Sequence, residues 1–155
     1  MDAFYFNIMI RYISQKVKIP DKLPKEMEAL IKELKKSKTK KACIKKAYSS
    51  LLKKYRGYRF YTYIRFFDLF VLDINKIWAK KGFVHCAVLN YLMRILLIKS
   101  GLFDEDDIKL KWTLVWYISL HQYLKIRVGQ NEFINIDLWG KAYGISFGDY
   151  AHGFH

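Results

Sequence analysis

The spacing of apolar residues changes near residue 101, and this change constrains the fold of the 155-residue chain more than any other feature. Before it, apolar residues recur every three or four positions, which predicts amphipathic helices. After it come three runs rich in β-branched and aromatic residues, at 109–118, 121–128 and 133–139, which predict strands. Helices followed by strands predict an α+β fold, with N-terminal helices and a central helix packed on an antiparallel sheet.

The apolar stripes predict four helices. The first begins near Pro24, and the second ends near Gly57. The third covers residues 65–78 and is rich in aromatic residues, and the fourth covers residues 85–100 and stops at Gly101. The residues expected on the four buried faces are Met27, Leu30, Ile31 and Leu34; Ile44, Ala47, Tyr48, Leu51 and Tyr55; Phe67, Phe70, Val71, Ile74, Ile77 and Trp78; and Leu89, Leu92, Met93, Leu96 and Leu97.

The net charge of +14 is concentrated in the N-terminal part of the chain. Residues 1–60 carry 17 Lys or Arg and 5 Asp or Glu, whereas residues 61–155 carry 11 and 9. A solvated helix face is the ordinary interpretation of such a run, and it would also attract polyanions in a salt-dependent manner. Without a repeat, linker or domain boundary, we expect a single domain over residues 1–155, in which residues 1–60 form a basic helical part.

Several classes of protein are disfavoured by composition. No apolar run reaches the about 18 residues that predict a transmembrane helix. The first residues carry an acid at position 2 and Arg11 inside the apolar stretch, which is unlike a signal peptide. The basic run lacks the stacking motifs of RNA-binding domains and the paired Cys and His of zinc fingers. Two cysteines in unrelated contexts make no disulfide framework, so a reduced, cytoplasmic protein is expected.

The two cysteines differ in their surroundings. Cys86 lies where a loop runs into the fourth helix, and a thiolate there is stabilised by the helix dipole and the free backbone amides. Cys43 lies among lysines within the second helix and is interpreted as a small helical residue. A nucleophilic cysteine also needs a base and a group that orients the base. His121 begins one predicted strand, and Asp137 lies near the end of the next.

Whether His121 and Asp137 share a face of the sheet depends on the loop between their strands. Side chains alternate along a strand, so an odd number of loop residues puts the two on one face and an even number separates them. The sequence GQNE is a good hairpin turn and is compatible with a three-residue loop over residues 129–131 or with a two-residue turn. Both alternatives stay open at this point.

With the favourable register, the three side chains have complementary chemistry. His121 can accept the proton of the Cys86 thiol and hold the thiolate as an ion pair. Asp137 can hydrogen-bond the other imidazole nitrogen, which selects the tautomer and favours the imidazolium. The backbone N–H of Cys86 can donate to the oxyanion of a tetrahedral intermediate.

This order of residues resembles the transglutaminase-like superfamily, whose members have a papain-related fold and a Cys–His–Asp triad. The matching residues are Cys86 in GFVHCAVLNYLMRILLIKSG, His121 in LHQYLKIRV and Asp137 in FINIDLWG, where Trp139 follows closely. The spacings are 35 and 16 residues. The resemblance covers about residues 75–140, which it implies to be the catalytic core.

The resemblance implies a thioester on Cys86 that water or an amine resolves. This is the chemistry of thiol proteases, deamidases and transamidases, with protein or peptide amides as substrates. It also implies that Trp139 contacts the substrate, and that Trp78 does so as the tryptophan upstream of the cysteine. It implies neither a cofactor nor a metal.

Three alternatives accompany this interpretation. A catalytically silent relative, or a basic binding module for a polyanionic or protein partner, would keep its activity without Cys86. A zinc site from His85, Cys86, His121 and Asp137 has suitable ligand types, although adjacent His and Cys are not a usual ligand pair.

The tail at residues 148–155 could close over a cleft, whereas a frayed terminus is the commoner outcome.

Overall fold

The computed structural model describes residues 17–71 and 73–154 and is of the α+β class. Its helices are α1 (Lys25–Lys35), α2 (Lys40–Lys54), α3 (Arg59–Ile64), α4 (Ile74–Ala79) and α5 (Cys86–Lys99), with 3-10 helices at Phe66–Phe70, Glu105–Asp107 and Gly140–Tyr143. Its strands are β1 (Tyr55–Arg56), β2 (Gly82–Phe83), β3 (Ile108–Val115), β4 (Ser119–Arg127) and β5 (Phe133–Ile136). Within these described ranges, no helix combines the length and the apolar character that a membrane crossing requires.

Helix α5 is the centre of the structure. It packs against α1 and α2 and against strand β4. The ten residues from Val88 to Leu97 are all buried, because neighbours cover the helix all round. Gly101 follows its C-terminal end with a φ of 76°, a left-handed conformation that costs glycine least. The predicted helix over residues 85–100 and its stop are therefore confirmed.

The first two predicted helices are also confirmed. The hydroxyl of Thr39 caps α2 by accepting a hydrogen bond of 3.1 Å from the backbone N–H of Ala42. The buried residues are Met27, Ile31 and Leu34 on α1 and Cys43, Ile44, Ala47, Tyr48 and Leu51 on α2. Helix α2 ends at Lys54, and the chain continues into β1, which pairs in parallel with β2.

The single aromatic helix predicted for residues 65–78 is wrong. Within this range the chain forms the 3-10 helix at Phe66–Phe70 and then the separate helix α4. Asp73 starts α4, because its carboxylate accepts hydrogen bonds from the backbone N–H groups of Asn75 and Lys76, at 2.9 and 3.4 Å. Phe67, which was expected on the buried face, is 78% exposed. Aromatic spacing alone did not distinguish a buried helix from a surface segment in which half of the aromatic rings face solvent.

Strands β3, β4 and β5 form an antiparallel sheet in that order. The predicted strand over residues 109–118 ends at Val115, because Trp116 and Tyr117 adopt left-handed conformations with φ of 55° and 58° and turn the chain into β4. Strand β5 ends at Ile136, so Asp137 directly follows the strand.

The β4–β5 hairpin takes the odd-numbered alternative. The backbone N–H of Val128 donates to the Glu132 carbonyl at 2.9 Å, which leaves residues 129–131 as the loop. Leu124 lies opposite Ile136 in the strand register. Continued by one residue, this register puts Asp137 opposite Tyr123, on the face of β4 that carries His121.

The C-terminal tail packs against the sheet, so the frayed alternative is wrong for residues 149–154. The backbone N–H of Gly153 donates to the Leu114 carbonyl at 3.1 Å. The ring of Tyr150 stacks on Tyr123 with centroids 4.1 Å apart, and Ala151 is buried. The tail therefore covers the face of β4 that carries His121 and Tyr123.

Candidate active site

Cys86 is the first residue of α5 and is partly exposed. The first helical hydrogen bond at this end is donated by the backbone N–H of Leu89 to the His85 carbonyl, at 3.0 Å. The backbone N–H groups of Cys86, Ala87 and Val88 therefore have no partner inside the helix. Cys86 thus carries its thiol at the positive end of a 14-residue helix, where a negative charge is stabilised.

His121 and Asp137 are hydrogen-bonded in the interior. Nε2 of His121 lies 2.8 Å from Oδ2 of Asp137, and both side chains are almost fully buried. The contact follows from the hairpin register, which puts both residues on one face, and from the end of β5 at Ile136, which frees Asp137 from the strand ladder.

Two backbone amides orient the carboxyl group of Asp137. Gly140 N–H donates to Oδ1 at 2.7 Å, and Ala151 N–H donates to Oδ2 at 2.9 Å. Gly140 can approach this closely because it has no side chain: a Cβ there would lie 2.6 Å from Oδ2 of Asp137. With the bond to His121, the carboxyl group accepts three hydrogen bonds and is held in one orientation.

The environment of His121 favours its charged form. Burial is the largest single influence and opposes the charge. The hydrogen bonds of the ring to Asp137 and to Cys86, together with the charge interactions of the ring with these two groups, outweigh burial and raise the pKa of His121 to about 10. Because Asp137 occupies Nε2, Nδ1 is the ring nitrogen that remains for Cys86. The arrangement therefore places an imidazolium between the Asp137 carboxylate and the Cys86 side chain.

Trp139 lies beside this pair. Its ring centroid is 5.1 Å from that of His121, and on its other side it packs against Tyr143 at 4.9 Å. Gly57 contacts it so closely that a Cβ would lie 2.6 Å from the indole Cγ. The indole thus restricts water around the imidazole, which strengthens the hydrogen bonds made by the imidazole.

A cavity of about 390 Å³ opens at Cys86. Its volume is in the range of small-molecule and side-chain binding sites. The walls are mainly apolar and come from three places: the segment from α3 to the following 3-10 helix, the start of α5, and the β3–β4 hairpin. The lining residues are Thr62, Tyr63, Phe66, Leu69, His85, Cys86, Ala87, Trp112, Ile118, Ser119, Leu120 and Gln122.

Trp78, the other tryptophan expected to contact substrate, lies among the helices. Its indole N–H donates to Oε2 of Glu26 at 3.2 Å, and the ammonium group of Lys54 lies 4.2 Å from its ring centroid. Its ring also packs edge-on against Tyr55. Neither Trp78 nor Trp139 is among the described residues that line the cavity at Cys86. Trp139 packs against His121 instead, and Trp78 lies in the helical core.

His85 precedes Cys86 and borders the same cavity. Its Nε2 lies 2.8 Å from the Arg65 carbonyl oxygen, and burial, the largest influence, lowers the pKa of His85. The ring is therefore neutral and donates its N–H to the carbonyl. Across residues 17–71 and 73–154, no three His, Cys, Asp or Glu residues cluster closely enough to hold a metal ion, so the zinc alternative has no ligand set there.

Three contributors were missed by the sequence prediction. Gly140 and Ala151 act through backbone N–H groups, which every residue except proline carries, so no side-chain pattern could identify them. Gln122 lines the cavity and directly follows His121. Its signal was a polar residue on the alternating face of β4 that otherwise carries Leu120, Leu124 and Ile126.

Comparison of this chain with protein-family models, with curated proteins and with solved structures found no match.

Proposed function

We propose that this protein is a cysteine-dependent acyl-transfer enzyme with a transglutaminase-like core, acting on amides of proteins or peptides. One observation carries the proposal: His121 hydrogen-bonds Asp137 through Nε2 and also interacts with the Cys86 side chain. This is the arrangement that an activated thiol nucleophile needs. Asp137 orients the ring, and the charge on His121 can stabilise the thiolate that attacks the substrate.

The first half of the reaction forms a thioester. The Cys86 thiolate attacks the carbonyl carbon of the amide, and the electron pair of the C=O bond moves onto oxygen. Backbone N–H groups at the start of α5 donate to this oxyanion. When the tetrahedral intermediate collapses, the C–N bond breaks and the proton of the His121 imidazolium passes to the leaving nitrogen.

The second half of the reaction releases the acyl group. His121, now neutral, takes a proton from water or from a primary amine as that nucleophile attacks the thioester carbonyl. Collapse expels the Cys86 thiolate and gives an acid or a new amide. The free imidazolium–thiolate pair is restored, with Asp137 stabilising the charge throughout.

The surroundings of the two cysteines support Cys86 as the nucleophile. Cys43 is fully buried, its sulfur lies 3.7 Å from the Ser100 hydroxyl, and burial raises the pKa of its thiol. Both cysteines are free, which fits the reducing, cytoplasmic setting that we propose for the protein.

A second candidate function is that of a basic binding module. Helix α2 buries one face and leaves Lys41, Lys45 and Lys53 exposed on the other. These lysines would bind a polyanion without sequence preference, and salt would weaken that binding steeply. Tight nucleic-acid binding that persists at high salt would favour this candidate over the enzyme.

The test is turnover of a glutamine-containing peptide pool, with and without a primary amine, followed by mass spectrometry. We expect an acyl adduct on Cys86, and we expect Cys86→Ala and His121→Ala each to lose roughly 1,000-fold or more in turnover, because nucleophile and base act as a unit. Cys43→Ala is the matched control and should retain activity. Equal turnover by wild type and Cys86→Ala would refute the enzyme.

A further inference from the structure

Gln122 has an unusual environment for a buried amide. It is 2% exposed, and among the described residues neither its Nε2 nor its Oε1 has a hydrogen-bond partner. Most buried polar groups in proteins are paired, so one donor and one acceptor left over on the same side chain require an explanation. Gln122 lines the cavity that also holds Cys86, and it is the neighbour of His121 in β4.

The rest of that cavity has the opposite character. Its walls are large apolar side chains from two segments, residues 63–69 and residues 112–120. The hydroxyl groups of Tyr63 and Ser119 lie 3.3 Å apart and link the two segments. Several of these side chains are far more exposed than large apolar residues usually are: Ile118 is 85% exposed and Leu120 is 70% exposed. The apolar wall residues are Tyr63, Phe66, Leu69, Trp112, Ile118 and Leu120.

We propose that this cavity is the acyl-donor subsite, in which Gln122 hydrogen-bonds an amide group of the substrate and the apolar walls bind a large aromatic or aliphatic group beside it. The inference rests on the proposed function, because it assigns an amide-binding residue and a preference for large apolar groups to the same cysteine. Gln122 is then a positioning residue, which sets the amide against the Cys86 sulfur.

The two unpaired atoms of Gln122 select an amide over other acyl compounds. An amide N–H can donate to Oε1 of Gln122, and a primary amide, whose N–H and C=O lie on the same side, can also accept from Nε2. An ester or a thioester has no N–H, and a carboxylate has only acceptors, so each leaves Oε1 of Gln122 unpaired. Sites built to hydrogen-bond a substrate group discriminate strongly against analogues that lack it.

The experiment uses two probes that alkylate Cys86 without turnover: N-benzyl chloroacetamide and benzyl chloroacetate. They share the benzyl group and the chloride leaving group and differ only in amide against ester. Rates at Cys86 are read by peptide mass spectrometry and divided by the rates with N-acetylcysteine. We expect wild type to prefer the amide probe by about 10-fold or more, because the ester leaves the buried Oε1 of Gln122 without its hydrogen bond.

Two variants separate the roles of the amide and of the walls. In Gln122→Met, which keeps the length of the side chain and removes both polar atoms, the preference should fall to about 1 while the circular dichroism spectrum is unchanged. Leu120→Asn should reduce the advantage of N-benzyl chloroacetamide over unsubstituted chloroacetamide. Leu114→Asn is its control, because Leu114 lies opposite Leu120 on the same hairpin and is not one of the lining residues.

The outcomes distinguish this inference from the function on which it rests. If Cys86 reacts no faster than N-acetylcysteine with every probe, both the acyl-transfer function and the subsite are overturned. If Cys86 reacts fast but wild type shows no preference for the amide probe, the subsite alone is overturned. The wild-type measurement decides this even if Gln122→Met does not fold.

Discussion

The charge on His121 is stabilised inside the protein by Cys86 and by the carboxyl group of Asp137, which two backbone amides hold in place. Oδ2 of Asp137 accepts from His121 and from Ala151, and Oδ1 accepts from Gly140. Burial by itself would make the imidazole neutral, and the hydrogen bonds and charges of Asp137 and Cys86 reverse this. The charged state of His121 thus depends on Asp137 and on the backbone amides of Gly140 and Ala151 that hold its carboxyl group.

Asp137→Asn should move the alkaline limit of activity to lower pH. In wild type the pKa of His121 is raised from 6.5 to about 10, so the imidazolium persists at neutral pH and is lost as pH rises through about 10. The matching contribution to stability is complete below pH 6.5 and disappears over the same rise. An asparagine can still accept from the ring but lacks the charge, so the pKa of His121 should fall.

The measurement is the pH dependence of kcat/KM from pH 5 to 11 for wild type and variant. We expect Asp137→Asn to lose about 100-fold at neutral pH, less than Cys86→Ala or His121→Ala, because the ring stays oriented. An alkaline limb that coincides with that of wild type would contradict the role assigned to Asp137.

The β4–β5 hairpin decides whether His121 and Asp137 meet at all. Its loop of residues 129–131 gives the odd count that puts both side chains on one face. A change of one residue in the loop reverses the face of every following side chain, whereas a change of two preserves it. The parity of a surface loop therefore controls a contact between two residues in the interior.

Deletion of Asn131 should abolish acyl transfer, with a loss of at least about 100-fold, because the following strand can then present Asp137 only on the opposite face. The matched control inserts Gly-Ser after Gln130, which lengthens the loop to an odd five residues and adds only a small loop-closure cost. It should keep activity within about 3-fold. Turnover and thermal unfolding are measured for both variants. Equal turnover in the two loop variants would show that parity does not matter.

At the scale of the whole molecule, elements distant in sequence converge on the candidate site. Helix α5 supplies Cys86 from the middle of the chain, the hairpin supplies His121 and Asp137, and the tail supplies the Ala151 amide. Asp107 joins the helices to the sheet, since it binds Lys40 of α2 at 2.6 Å and Arg127 of β4 at 2.7 Å. The arrangement of the site is therefore a property of the complete fold.

Truncation after Gly148 should weaken both the fold and the His121–Asp137 pair. It removes the Ala151 N–H that donates to Asp137 and the Tyr150 ring that stacks on Tyr123. We expect a loss of about 1–3 kcal/mol in the free energy of unfolding, measured in urea, and a lower pKa of His121, measured by NMR titration. A chain ending at Gly153 keeps both contacts and is the control. An unchanged pKa of His121 in the shorter chain would mean that the tail only covers the sheet.

The sequence by itself determined the order and type of the main elements: helices α1, α2 and α5, the sheet, and the stop at Gly101. These depend on local periodicity and on glycine geometry, which are written into neighbouring residues. It also singled out Cys86, His121 and Asp137 as candidates, because their residue types at those element ends allow one chemistry. The break within the aromatic segment at 65–78 was not predictable in the same way, since helical and 3-10 geometry accept similar spacing.

Only the tertiary structure decided the remaining features. Two loop lengths were locally acceptable in the hairpin, and the backbone hydrogen bond from Val128 to Glu132 selected one of them. The docking of the tail, the closeness of Trp139 to His121 and the separate location of Trp78 depend on contacts between residues far apart in the chain. Such contacts form only when burial and hydrogen bonding repay the entropy of closing long loops, and no local pattern records that balance.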